Sequence, residues 1–170
     1  MRTITTNLYQ FSELSEAAKR AAVNNLRSEA AESAAEADWN DATSTIKFVE
    51  KVANIYADIT SSSQGFYVRH CFSRTEEYEL TDKEEFEAFR KRFFDEYTER
   101  MWCDKSMYDI VMRWQFDERR GYASNVAWMI VSFCEDIERL TLNYYDDDCV
   151  KEWICMNDFE FTEDGRAYFG

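Results

Sequence analysis

The chain has 170 residues, a length that suits one domain (1–170) able to bury about 70% of the surface its unfolded form exposes. Its 34 acidic and 20 basic residues leave a formal net charge of −14, which argues against direct contact with nucleic acid or with an anionic membrane, since both need a cationic surface. Thirteen Phe, ten Tyr and five Trp supply too much bulky apolar surface for an intrinsically disordered chain.

Residues 2–9 alternate Ile4, Thr6 and Leu8 against Thr3, Thr5 and Tyr9, a period of two that predicts a first strand. Ser12 or Ser15 can cap the helix that follows, with Leu14, Ala18, Ala21, Ala22 and Leu26 on one face up to about Ala37. Asp38 and Asn40 flank Trp39, and we place a break there, followed by a second helix to about Ile55 carrying Trp39, Ala42, Ile46, Val49 and Ala53 inward. The pair reads as an αα-hairpin. From Ala57 the pattern turns β-prone: 58–63 is one short strand, Gln64-Gly65 a turn, and Phe66 to Phe72 the return strand, with Phe66, Val68, His70 and Phe72 on one side and Tyr67, Arg69 and Cys71 on the other.

A short strand is placed at Tyr78–Leu80. Thr81 and Glu84 then stand at capping-box spacing before Phe86, Phe89, Phe93 and Tyr97, which predicts a helix from Asp82 to about Arg100. A further helix runs from about Lys105 to Arg119 with Tyr108, Val111, Met112 and Trp114, ended by Gly121. The stretch Tyr122–Leu142 is apolar nearly all round its first three turns: Val126, Met129, Ile130, Phe133, Ile137 and Leu140 recur at helical spacing, and Ala127, Trp128, Val131 and Cys134 widen the surface. Such a helix belongs inside, and Ser124 and Asn125 are available to cap it. Asp146, Asp147 and Asp148 open one more helix, with Val150, Trp153 and Ile154 inward. The tail reads as a hairpin, Phe159–Thr162 and Arg166–Phe169, turned through Asp164-Gly165 with Gly165 at positive φ. The expected fold is α+β: a small, mostly antiparallel sheet made from the chain ends and the middle hairpin, with five to six helices packed around a central apolar helix.

The segments LYQFSELSEAAKRAA, SSSQGFYVRH and FTEDGRAYF resemble parts of a loosely defined group of short acidic proteins encoded by phages and prophages. The resemblance rests on caps and turns. It implies a mobile-element gene whose product acts on a host or rival system.

No constellation points to catalysis, a metal or a cofactor. The single histidine, His70, adjoins Cys71, but neighbours on a strand face opposite ways and cannot form a nucleophile pair. Cys149 and Cys155 are six apart, an unsuitable spacing for a metal pair on one helix, and read as small apolar residues. The five cysteines, odd in number and irregularly spaced, fit reduced thiols in a cytosol; the longest apolar run, Val126–Val131, is far too short to span a bilayer. Asp158, Glu160 and Thr162 begin like a calcium loop, but Glu163 and Phe169 stand where its glycine and final glutamate belong. Three consecutive aspartates fan apart on a helix, and no phosphate loop, nucleophile elbow or zinc-protease helix occurs.

The negative charge is regional. Residues 28–41 hold Glu29, Glu32, Glu36, Asp38 and Asp41 with no basic residue, whereas residues 90–120 are nearly balanced. On a helix Glu29, Glu32 and Glu36 share a stripe with neighbours about 5–6 Å apart, similar to successive phosphates of a nucleic-acid strand. The sequence therefore points to a non-catalytic acidic interaction protein, of phage type by its resemblance. Its expected partner is a basic host protein, a nucleic-acid-binding defence factor of the CRISPR or restriction kind, met through those five acids in the host cytoplasm. The competing readings are a small carboxylate- or metal-dependent enzyme, which would need a concave site with several perturbed acids, an antitoxin-like regulatory partner, and a plain solvated face that keeps the protein soluble.

Overall fold

The computed structural model describes residues 7–74, 80–100 and 105–169. Within them the chain is α+β, with five α-helices and two small antiparallel sheets rather than the one sheet expected. The chain divides into two compact units, one of residues 1–37 with 140–170 and one of residues 38–139.

The predicted strand at 2–9 falls mostly outside the described residues; within them Asn7 and Leu8 are irregular and a two-residue strand, Tyr9–Gln10 (β1), begins at Tyr9. A 3-10 turn, Phe11–Glu13, follows, tied by the Gln10 N–H donating to Glu13 Oε2 at 2.7 Å. Ser15 is the residue that caps the next helix, its Oγ accepting from Ala18 N at 3.2 Å. That helix, α1, runs unbroken from Glu16 to Ala53. The expected αα-hairpin is thus corrected to one helix: no glycine or proline interrupts 16–53, and an interior Asp or Asn costs only about 0.7 kcal/mol relative to Ala, too little to break a helix anchored on both sides. Asn54, at φ 51°, ends it in the left-handed conformation.

In the first unit the core is built from Leu14 and, on α1, Ala18, Ala22, Val23, Leu26 and Ala30, against Val150 and Ile154 of α5 (Asp147–Met156) and Phe161 of β4 (Glu160–Phe161). β4 pairs with β1 and with β5 (Ala167–Tyr168), making the three-stranded sheet β1-β4-β5. Arg27 ties the start of α5 to α1, meeting Asp147 at 2.5 Å and the carbonyl of Tyr145. The expected C-terminal helix and hairpin are both present, and Gly165 has the expected positive φ, +83°.

In the second unit, β2 (Ile55–Ser62) and β3 (Gly65–Ser73) form a two-stranded antiparallel hairpin. Its pairing slips between Asp58 and Ile59, so that Asp58 faces His70 while Ile59 faces Val68, leaving Arg69 as an extra residue. The bulge reverses the facing beyond it. Phe66 and Val68 are half-buried, whereas His70 and Phe72, expected on the same side, are exposed and Cys71 is half-buried. The strand expected at Tyr78–Leu80 lies outside the described residues except for Leu80, which sits in a bend.

α2 (Asp82–Arg100) begins where the capping box placed it. Thr81 donates its N–H (2.9 Å) and its hydroxyl (2.8 Å) to Glu84 Oε2, and the Glu84 N–H donates to Thr81 Oγ at 3.3 Å. These bonds, the backbone one foremost, hold the Glu84 carboxyl below the usual glutamate range. A depressed carboxyl stabilises the fold above the ordinary glutamate pKa and loses that contribution as pH falls through the lowered one. Wild type should therefore melt higher than Glu84→Gln at about pH 7 and converge with it towards about pH 3. A melting-temperature difference that stays constant over that range would show that the ionised carboxylate does not make these bonds.

α3 (Lys105–Arg113) stops six residues short of the expected Arg119, with Met107 and Val111 buried and Met112 exposed. The loop beyond it is held by Asn125, whose amide donates to the carbonyls of Asp117 (3.1 Å), Arg120 (3.0 Å) and Gly121 (3.2 Å) while its Oδ1 accepts from Asp117 N at 2.8 Å. One buried side chain satisfies a loop backbone that would otherwise need helical partners. Asn125 thus holds the preceding loop instead of capping α4 (Tyr122–Asn143); the Tyr122 N–H is taken by Asp82 Oδ1 at 3.0 Å. Val126, Ala127, Met129, Ile130, Val131, Phe133, Cys134 and Ile137 of α4 are buried, Trp128 is half-buried beneath the Arg120 guanidinium, and Leu140, expected inward, is exposed. Val126, Met129, Ile130 and Phe133 share a core with Phe86, Phe89 and Phe93 of α2 and with Val49, Val52, Ala53 and Ile55. The Tyr122 hydroxyl, sunk in this core, donates to the Ala53 carbonyl at 2.6 Å.

Candidate functional site

Helix α1 brings three of the five candidate acids together. Glu29, Glu32 and Glu36 are separated by three and four residues, a spacing that sets them on one face, and all three are exposed. Of the four alanines between them, Ala30 and Ala31 are 3% and 2% exposed, and Ala34 and Ala35 are half-buried. Ala30 and Ala31 face inward while the three acids project outward as a row of carboxylates. Among the described residues no basic side chain lies within 4 Å of any of the three, so the row is not internally neutralised.

Asp38 and Asp41 belong to the second unit. Asp38 follows Glu36 by two positions, which turns its side chain to another face, and it is half-buried; Asp41, three residues on, is exposed. Trp39 between them packs on Phe66 of the hairpin, ring centroids 5.6 Å apart. The two aspartates therefore do not extend the stripe made by the three glutamates.

Groups that could carry covalent chemistry are dispersed. His70 is exposed on β3 while the half-buried Cys71 thiol faces the other way, its pKa raised by burial, with a smaller lowering from a hydrogen bond with Ser124. Burial pushes the Cys134 thiol up to about 11, far from a reactive thiolate. Cys149 is half-buried, and Cys155, expected inside, is exposed because position 155 lies on the outer side of α5 from Val150 and Ile154. Asp147 is engaged by Arg27 and Asp148 by Lys151 at 2.9 Å, so two of the three consecutive aspartates are used in ion pairs. Among the described residues no three His, Cys, Asp or Glu side chains converge as metal ligands, and no helix is long and apolar enough to cross a membrane.

One surface the sequence did not announce is the outer face of the β2–β3 hairpin. Tyr56 and Phe72 are opposite each other across the strands and stack at 5.2 Å, both exposed, with Tyr67 exposed further along. The bulge at Arg69 is what turns Phe72 outward, and a one-residue slip has no signature in the alternation of residue types.

Comparison of the chain with protein-family models, curated proteins and solved structures finds no match.

Proposed function

We propose that this protein is a non-catalytic, acidic interaction protein of phage type that binds and inhibits a basic, nucleic-acid-binding host defence factor by occupying its nucleic-acid site. The supporting observation is the row of Glu29, Glu32 and Glu36: exposed, on one face of a continuous helix, backed at one end by the buried Ala30 and Ala31 and without basic neighbours within 4 Å among the described residues. A cationic groove that receives phosphates at intervals of several ångströms can receive such carboxylates instead, with the long-range field of a −14 chain hastening encounter. Asp38 and Asp41 add to that net charge rather than to the row itself. In the same reading the second unit is a scaffold whose helices are organised around α4.

The test is charge reversal. Glu29→Lys, Glu32→Lys and Glu36→Lys together change the charge by six units without touching the buried side of α1. The control reverses three exposed acids with no common stripe, Glu152, Glu160 and Glu163. Wild-type protein immobilised in a bacterial lysate at low salt should retain a basic protein that free DNA or RNA displaces. The triple variant should bind that protein with an association rate reduced about tenfold or more, and the control much less. Equal loss in both variants, or no displacement by nucleic acid, would refute the mimicry.

A further inference from the structure

We infer that the first unit also carries a binding site for a small organic anion, an apolar body bearing a carboxylate or phosphate, in the groove beside the start of α1. This groove encloses about 680 Å³, within the range of ligand pockets, and is formed by the 3-10 turn, the first turns of α1 and α5. Its charge runs against that of the chain. Lys19, Arg20 and Lys151 line it against only Glu16 and Asp147, and Asp147 is already held by Arg27 at 2.5 Å.

The cations differ in their readiness. Among the described residues Arg20 donates only its Nε, to the Glu16 carbonyl at 3.3 Å, and no carboxylate lies within 4 Å of its guanidinium. The two terminal nitrogens of that planar fork are thus available for bidentate contact with a carboxylate or phosphate. Lys19 and Lys151 are paired with Glu16 (3.1 Å) and Asp148 (2.9 Å), but both acids are largely exposed, 84% and 94%, and such pairs exchange readily for a better-placed anion. Hydrogen bonding to Asp148, and the charges of Asp148, Asp147 and Glu16, raise the Lys151 ammonium above its ordinary pKa. Phe11, half-buried, and Val23, 2% exposed, supply an apolar wall for the body of the ligand. This site uses none of the residues of the acidic row and does not depend on that row's function.

Titration calorimetry of the full chain with phenyl phosphate, benzoate and inorganic phosphate tests it. Phenyl phosphate should bind saturably with a Kd of about 1 mM or tighter, inorganic phosphate more weakly for want of the apolar body, and Arg20→Gln should weaken phenyl phosphate about tenfold. Lys151→Gln, a surface change outside the core, should weaken it less and serves as the second variant should Arg20→Gln fail to fold. Tighter binding of phenyl phosphate than of benzoate assigns a phosphate ligand, and the reverse order assigns a carboxylate. Heats that do not saturate, inorganic phosphate binding as tightly as phenyl phosphate, or unchanged affinity in the folded variants would overturn the site.

Discussion

Gly165→Ala is expected to cost about 3 kcal/mol or more in a urea titration, far above the usual effect of adding one methyl group to a turn. Two separate causes act at this position. The backbone sits at φ +83°, where a side chain is strained by about 1 kcal/mol. The larger cause is steric, because a β-carbon would stand 2.2 Å from the Ala18 carbonyl oxygen and 2.9 Å from its carbon, both backbone atoms of α1 that no rotamer change can move. Relief requires the C-terminal turn to lift from α1, which loosens the packing of Phe161 against Leu14, Ala18 and Ala22. Gly65→Ala separates the causes: its φ is +104°, yet the nearest atom to a β-carbon there is the end of the flexible Glu135 side chain at 3.9 Å. Gly65→Ala should show the strain alone. Equal losses at the two glycines would mean that the turn does not approach α1 as closely as described.

The same residue illustrates how far the sequence could be read. Turn chemistry is local, so Asp164-Gly165 announced a positive φ, and the Thr81/Glu84 spacing announced the start of α2; both are present. The contact of Gly165 with Ala18 joins residues 147 positions apart, and no local pattern encodes it. The misreadings share one cause. Asp38 and Asn40 look like a helix boundary only if the caps they could make outweigh the packing of Ala42, Val49 and Val52, and here the packing wins. Asn125 stands near a helix start, where a cap belongs, but it serves the loop before that start, a role visible only once Asp117, Arg120 and Gly121 are folded around it. Helical periodicity places Glu29, Glu32 and Glu36 on one face, and Asp38 and Asp41, near them in sequence, fall on other faces of the continuous helix. For the anion groove the sequence offered the adjacent Lys19-Arg20 pair, a signal too common to single out before Lys151 and Phe11 were seen beside it.

Phe133→Ala is expected to destabilise the protein by about 3–5 kcal/mol, the range for removing a fully buried aromatic ring. Phe133 is 0% exposed, as are Phe86, Phe89, Phe93, Met129 and Ile130 in the same core. A lost ring forfeits both its transfer free energy and the dispersion contacts of the atoms left lining the hole, because rings held in place by one another cannot all close in on the space. Since small domains are stable by only about 5–15 kcal/mol, this one change should remove a large fraction of the total. The comparison is Leu140→Ala on the same helix: Leu140 is 46% exposed, and its truncation should cost under about 1 kcal/mol. Both positions continue the same apolar repeat in the sequence, so the difference between them measures which turns of α4 are enclosed rather than how hydrophobic the helix is. A loss below about 1 kcal/mol for Phe133→Ala in denaturant titration would show that α4 does not carry the core of its unit. A large loss at Phe133 combined with full stability of the Glu29, Glu32, Glu36 triple lysine variant would separate the residues that hold the fold from those available to a partner.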